Sequence, residues 1–149
     1  MPLYFAYGSN MDCAAMARRC PNGLALGPAR LARHRFFIME SGYASLVRDS
    51  SAEVHGVLYQ LALSDIGPLD RYEEVHSGLY RKITQPVFRG KGGPVHALVY
   101  VGSESKAGSP AKGYLEAVLA AARAAHLPSA YIAFLERQGA PGPRKTCKP

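Results

Sequence analysis

The chain has 149 residues, about the length of one ordinary domain. Apolar residues make up 48% of it and charged residues 19%, which is typical of a globular protein and excludes a disordered or collagen-like chain. No apolar run approaches the roughly 18 residues that a membrane span needs, and the N-terminus lacks the basic start of a signal peptide. We therefore expect a cytoplasmic protein that has no membrane partner.

The formal net charge is +7, which hints at an anionic partner without identifying one. Three of the positive charges, Arg144, Lys145 and Lys148, lie in the last few residues, and without them the charge falls to +4. The nine tyrosines lie mostly in apolar contexts, where core packing explains them, and not interleaved with basic residues. We therefore do not expect nucleic acid as a partner.

The cysteines and histidines predict neither disulfides nor a metal site. Cys13 and Cys20 are seven residues apart, which on one helix is about 10 Å and too far for a disulfide. The sequence has no C-x-x-C motif and no two histidines at the spacing of metal ligands. We therefore expect free thiols and a protein that needs no metal and no cofactor.

The first half of the chain alternates short apolar runs with turn residues. An aromatic, apolar run predicts a buried strand over residues 3–7 that stops at Gly8. The composition that follows favours a helix over residues 11–19, with Ser9 or Asn10 as its N-cap. The remaining predictions are extended segments over 24–40 (kinked near Gly27), 43–47 and 53–61, with a turn at 49–51.

The second half is predicted to contain one more strand pair and then helices. A helix is predicted over 66–74, capped by Ser64, and is followed by strands over 79–88 and 94–101 with a loop at 89–93. A polar loop over 102–111 then leads to helices over 112–126 and 131–137. Six or seven strands precede residue 102, without βα alternation or an internal repeat. We therefore predict an α+β fold with a single domain over 1–138, a small mixed sheet closed toward a barrel, and a flexible basic tail over 139–149.

The first candidate site is Tyr7-Gly8-Ser9-Asn10, where a strand runs through glycine into a helix. Such a turn leaves several backbone N–H groups unpaired and pointing one way, so it can bind a carboxylate, a phosphate or a developing oxyanion. Glycine also lets a ligand approach the backbone closely. The alternative is a plain turn with a helix cap.

The second candidate is Glu73. Ile66, Leu69 and Glu73 share one face of the predicted helix, so the carboxylate should point into an apolar interior. Burial destabilises the anion and raises the pKa above its usual value of about 4.3, which suits general acid–base catalysis near neutral pH. The alternative is a glutamate that ends the helix and reaches solvent.

Four ordered motifs resemble the γ-glutamylcyclotransferase-like superfamily, which includes AIG2-like proteins. They are Tyr4-Phe5-Ala6-Tyr7-Gly8-Ser9-Asn10-Met11, Val54-x-Gly56-Val57-Leu58-Tyr59, Leu69-Asp70-x-x-Glu73 followed by Ser77-Gly78-x-Tyr80, and Leu127-Pro128-x-x-Tyr131-x-x-x-Leu135. The resemblance implies a small β-barrel with flanking helices and a cavity at one side. It implies that Tyr7, Gly8, Ser9 and Asn10 hold the substrate, that Tyr80 lines the pocket, and that Glu73 is the catalytic acid/base.

The reaction implied by the resemblance is the cyclisation of a γ-glutamyl group to 5-oxoproline, which releases an amino acid or an amine. Two residues depart from the family pattern: Glu74 stands where members commonly carry glycine, and His55 replaces an aromatic residue. If Glu74 lies close, its charge should raise the pKa of Glu73 further. The alternative function is a non-catalytic module that binds a small anion in the same cavity. The leaving group and the oligomeric state stay open.

Overall fold

A computed structural model describes residues 1–90 and 92–139 of the chain. Within them lie five strands: β1 (Leu3–Ala6), β2 (Leu24–Ile38), β3 (Ala44–Gln60), β4 (Tyr80–Val87) and β5 (Val95–Gly102). The helices of the same residues are α1 (Cys13–Arg19), α2 (Ile66–Tyr72), α3 (Tyr114–Ala124) and α4 (Ser129–Arg137). Short 3₁₀ turns precede α1 at Ser9–Met11, precede α2 at Leu63–Asp65 and follow α2 at Val75–Ser77. The predicted α+β class is confirmed.

The strands form one mixed sheet in the order β2-β3-β1-β5-β4. Strand β1 lies at its centre, antiparallel to β3 and parallel to β5. The predicted closure into a barrel is wrong for the described residues: the edge strand β2 and the end of β4 meet at a single bridge between Arg30 and Phe88. Each of these two residues donates a backbone hydrogen bond of 2.9 Å to the other.

Two prolines explain why this contact does not extend into a ladder. In an antiparallel ladder, the next hydrogen-bonded pairs beyond Arg30 and Phe88 would be Pro28 opposite residue 90 and Ala32 opposite Pro86. Proline has no N–H group to donate, so the ladder is blocked on both sides of the bridge. The sheet therefore curls until its edges touch but does not close.

Strand β3 corrects a second prediction, the turn at residues 49–51. The structure has one continuous strand of 17 residues there, paired with β2. The pairing jumps from His34 opposite Arg48 to Ala32 opposite Glu53, which leaves an irregular bulge around residues 49–52. Asp49 stabilises this bulge locally, since its Oδ1 accepts hydrogen bonds from the Ser51 N–H and hydroxyl. Two predicted strands thus merge, which lowers the strand count.

Both predicted helix caps are also different in the structure. Helix α1 begins at Cys13, and its cap is Asp12, whose Oδ1 accepts a hydrogen bond of 3.1 Å from the Ala14 N–H. Ser9 and Asn10 instead belong to the 3₁₀ turn before the helix. Ser64 does not cap α2; Asp65, which is buried, accepts a hydrogen bond from the Ala62 N–H at 3.1 Å. In both places an aspartate, and not the predicted residue, accepts the hydrogen bond from the backbone N–H group.

Gly56 allows the close packing of β1 against β3. A Cβ atom at this position would lie 2.2 Å from the Ala6 carbonyl oxygen, so any other residue would push the strands apart. The apolar core lies around these strands and includes Phe5, Leu58 and Leu69, which are fully buried. Strand β1 is therefore fixed at the centre of the sheet, and the chain leaves it at Tyr7.

Cys13 and Cys20 are free, as predicted. Within residues 1–90 and 92–139 no cluster of three metal-ligating side chains is present, and no helix is long and apolar enough to cross a membrane. The predicted flexible tail lies, apart from Gly139, outside the described residues, as does Lys91 in the predicted loop at 89–93.

Candidate active site

A cavity of about 260 Å³ opens where the chain leaves β1. All six residues predicted for the site line it: Tyr7, Gly8, Ser9, Asn10, Glu73 and Tyr80. The remaining lining residues are Tyr4, Tyr43, Ala44, Tyr72, Glu74, Leu79, Tyr100 and Tyr114. The structure therefore brings together residues that are up to 73 positions apart between Tyr7 and Tyr80.

Three elements meet at this cavity. The end of β1 and the following 3₁₀ turn supply residues 7–10, the end of α2 supplies Glu73, and Tyr80 is the first residue of β4. The parallel pairing of β1 with β5 sets Tyr100 beside Tyr4, with the ring centroids 5.7 Å apart and the rings nearly perpendicular. The two segments identified from sequence thus face each other across one space.

Glu73 is the first residue after α2, and its carboxylate is mostly buried. Burial raises its pKa to about 7, although the positive charge of Arg19 acts in the opposite direction. Glu74 is exposed and is not a cause of this shift, contrary to the expectation from its charge. No ion pair of Glu73 is found in the described part of the chain. The carboxyl group therefore holds its proton to a higher pH than an exposed glutamate does.

Asn10 is buried, and its side chain contacts both Glu73 and Arg19, the cation that lowers the pKa of Glu73. Its Nδ2 donates to the Tyr4 hydroxyl at 3.0 Å and lies 3.5 Å from Glu73 Oε1, while its Oδ1 accepts a hydrogen bond from Arg19. The Asn10 carbonyl accepts a hydrogen bond of 2.9 Å from the Tyr59 hydroxyl. The Asn10 side chain is therefore fixed in place beside Glu73.

Gly8 and Tyr114 define the wall on the other side. A Cβ atom on Gly8 would lie 2.8 Å from the Tyr114 hydroxyl oxygen, so a larger residue here would have to displace the Tyr114 side chain. The same hydroxyl accepts a hydrogen bond of 3.3 Å from the Ala44 N–H. The Met11 and Asp12 N–H groups bond to the carbonyls of Gly8 and Ser9. The N–H groups at the start of this turn have no partner within it. The Ser9 N–H approaches the Tyr114 hydroxyl at the wall of the cavity.

The sequence interpretation missed most of the tyrosines. It assigned them to core packing, yet seven of the nine line the cavity, namely Tyr4, Tyr7, Tyr43, Tyr72, Tyr80, Tyr100 and Tyr114. Buried hydroxyls need hydrogen-bond partners, and here Tyr80 donates to the Ala44 carbonyl at 2.6 Å and Tyr100 to Asp70 at 2.5 Å. An excess of tyrosine over phenylalanine, nine against five, was the available signal for a polar cavity.

Comparison with known proteins decides the family. The model of the AIG2-like family matches residues 53–135. The chain belongs to the AIG2-like family. The resemblance to the γ-glutamylcyclotransferase-like superfamily predicted from four motifs is thereby confirmed.

Relatives of this AIG2-like chain include the γ-glutamylcyclotransferases of Mus musculus and Homo sapiens. Each is 27% identical over 139 residues, which cover 87% of this chain and 74% of the relative. A solved γ-glutamyl cyclotransferase superposes with a TM-score of 0.87 at 24% identity, over 98% of this chain and 92% of that one. YkqA from Bacillus subtilis has a TM-score of 0.77 at 26% identity, over 91% of this chain and 53% of its own. The solved structures show that the fold is shared.

The resemblance leads to the expectation of glycine at position 74, and the backbone of Glu74 in this AIG2-like chain adopts a left-handed conformation. Its φ and ψ angles are 53° and 45°, a region that glycine adopts freely and a residue with a Cβ atom does not. The Glu74 carbonyl accepts hydrogen bonds from the Ser77 N–H and hydroxyl, which hold the turn after α2 in place. The turn after α2 thus holds the left-handed conformation against the preference of the residue.

Replacing Glu74 with glycine should therefore stabilise the protein. We expect the free energy of unfolding to rise by about 1 kcal/mol, because the left-handed strain disappears. Urea unfolding of wild type and E74G at one pH measures the difference. Glu74→Ala is the matched control: it also removes the carboxylate but keeps the Cβ atom, and it should give no comparable gain. Equal stability of E74A and E74G would contradict the assignment of strain.

Proposed function

We propose that the protein is a γ-glutamyl cyclotransferase that acts on a small γ-glutamyl substrate, with residues 1–138 as one catalytic domain. The observation that carries this proposal is a buried carboxylate, Glu73, with a pKa of about 7, facing the turn at residues 7–10 across a cavity. The name of the mouse and human relatives supports the same reaction class.

Glu73 would move the proton that the reaction must transfer. The substrate's α-amine arrives largely as ammonium, and the Glu73 carboxylate accepts one of its protons. The freed amine attacks the γ-carbonyl carbon, and a new C–N bond closes the five-membered ring. Glu73 then returns its proton to the departing nitrogen as the original C–N bond breaks, and the ring nitrogen gives up its remaining extra proton to the released amine, which yields 5-oxoproline and the free amine or amino acid as its ammonium form. A pKa near neutral suits both directions of this transfer.

The turn at Gly8, Ser9 and Asn10 would bind the oxygen atoms of the substrate. Negative charge develops on the γ-carbonyl oxygen during the attack, and backbone N–H groups at the start of the 3₁₀ turn are suited to stabilise it. Tyr7 and Tyr80 form the buried walls that hold the glutamyl chain in a bent conformation. Since the nucleophile and the electrophile belong to one molecule, holding this conformation supplies much of the acceleration.

The alternative of a non-catalytic module that binds small anions predicts a different state for Glu73. Such a module has no need of a buried carboxyl group with a raised pKa, because binding an anion transfers no proton. A purely structural glutamate would be exposed or ion-paired. Glu73 is neither in the described part of the chain, which favours a role in proton transfer.

The test is a panel of γ-glutamyl amino acids and γ-glutamyl amines incubated with the purified full chain. We expect 5-oxoproline and the free amine or amino acid to form in equal amounts from at least one member. Quantifying both products by mass spectrometry separates cyclisation from hydrolysis, which would release glutamate. Binding of panel members without any product would instead support the non-catalytic module.

A further inference from the structure

The walls of the cavity carry negative but no positive side-chain charge. Among the described residues that line it, Glu73 and Glu74 are the charged ones, and none is a lysine, an arginine or a histidine. Glu74 is exposed and takes part in no ion pair within the described residues. A substrate that enters therefore meets an uncompensated carboxylate.

Exposure separates a buried floor from an open rim. Tyr4, Tyr7 and Asn10 are at most 6% exposed, whereas Tyr43 and Tyr72 are 44% and 43% exposed. Glu74 lines the cavity and is exposed like these two tyrosines, so the residue belongs to the rim. Because the α-amine must reach the buried Glu73, the glutamyl half fills the floor. The leaving group then extends toward the rim, where Glu74 lies.

Arg19 is the cation that acts on the pKa of Glu73, but its guanidinium group already has other partners. Its guanidinium donates to Asn10 Oδ1 and lies over the ring of Tyr72, 3.6 Å from the ring centroid. It lowers the pKa of Glu73 without lining the cavity. A carboxylate on the leaving group would therefore find Glu74 and no cation among the described lining residues.

We propose that Glu74 determines specificity for the leaving group, so that the enzyme releases uncharged or cationic amines in preference to α-amino acids. This inference rests on the proposed function. An α-amino acid carries its carboxylate one carbon from the scissile nitrogen and would bring it to the rim beside Glu74. Like charges at such a separation repel, and an ammonium group in the same place is attracted.

Three substrates of similar size test the proposal: γ-glutamylglycine, γ-glutamylethylamide and γ-glutamylethylenediamine, whose leaving groups are anionic, neutral and cationic. We expect the wild-type enzyme to have a kcat/KM about tenfold higher for the cationic than for the anionic substrate. Glu74→Gln keeps the length and backbone of the residue and removes its charge, so the ratio should fall to about threefold or less. Glu74→Lys should reverse the preference.

The control is Glu116→Gln, which removes the same charge from an exposed position on α3 and should leave the ratio unchanged. Ratios between substrates cancel any loss of folded enzyme. The wild-type ratio should also shrink as salt is raised, and that of E74Q should not. A ratio in E74Q equal to that of wild type, or a wild-type preference for γ-glutamylglycine, overturns the role of Glu74 while cyclisation itself stands. Absence of 5-oxoproline from all three and from the wider panel overturns the proposed function as well.

Discussion

Glu73→Gln is expected to lower kcat for 5-oxoproline formation by about 100-fold or more, the usual contribution of a general acid–base group. Glutamine has nearly the same shape and can still accept a hydrogen bond from Asn10, but it cannot accept the proton of the α-ammonium group. The cavity should therefore still bind substrate, so KM should change far less than kcat. Initial rates of 5-oxoproline release measure both.

The pH dependence of the wild-type enzyme checks the same role. Since Glu73 must begin as a carboxylate, kcat/KM should rise with pH through a pKa of about 7. Glu116→Gln, which changes an exposed glutamate on α3, should keep both the rate and this pH profile. If E73Q retained more than about a tenth of the wild-type kcat, Glu73 would not be the acid/base.

The second large effect of Glu73→Gln is on stability: the substitution should stabilise the protein although it lowers activity. The pKa of Glu73 is raised in the folded protein to about 7, so the folded state holds a proton that the unfolded state has lost. Between the unfolded and the folded pKa, stability must therefore fall as pH rises. Above the folded pKa, the buried ionised carboxylate costs up to about 3 kcal/mol relative to the protonated acid.

E73Q removes this ionisation, so it should be more stable than wild type by up to about 3 kcal/mol near pH 8. The advantage should shrink to a few tenths of a kcal/mol near pH 4, where Glu73 is mostly protonated in both states. Urea unfolding of both proteins across this pH range measures the difference. Glu116→Gln is the control, because an exposed glutamate gives no such pH-dependent gain. A difference that does not depend on pH would mean that packing, and not the buried charge, is responsible.

The loss of activity and the gain in stability of E73Q would have the same physical cause. The burial that makes Glu73 a competent base near neutral pH is the same burial that destabilises the ionised protein. Asn10 keeps the carboxylate in position without neutralising it, because an amide carries no charge. The site thus gives up stability for a proton affinity that a solvent-exposed glutamate lacks.

Local pattern was enough to predict most elements of the fold. The central strand, β2, the β4–β5 pair and the terminal helices all follow from hydrophobic periodicity and turn residues, which act over a few positions. The merged strand β3 was not predictable in this way. Asp49 and Ser51 favour a turn locally, but pairing with β2 keeps the chain extended through a bulge. Long-range hydrogen bonds outweighed a local preference.

The candidate site, like the fold, was predictable from the sequence only in part. Glu73 is predicted to face inward because Ile66 and Leu69 lie on its side of the helix, and the structure has it mostly buried although α2 ends one residue earlier. The tyrosine walls were not predicted. Tyr43, Tyr72, Tyr100 and Tyr114 come from separate elements, and nothing within a few residues of each indicates that they converge.

By itself, the sequence determined the family, the α+β class and the two segments that line the candidate site, because motifs and periodicity are properties of neighbouring residues. Only the tertiary structure decided how far the pKa of Glu73 rises, since that depends on burial by residues distant in the chain. It also decided that the sheet stays open, where Pro28 and Pro86 flank the bridge between the edge strands.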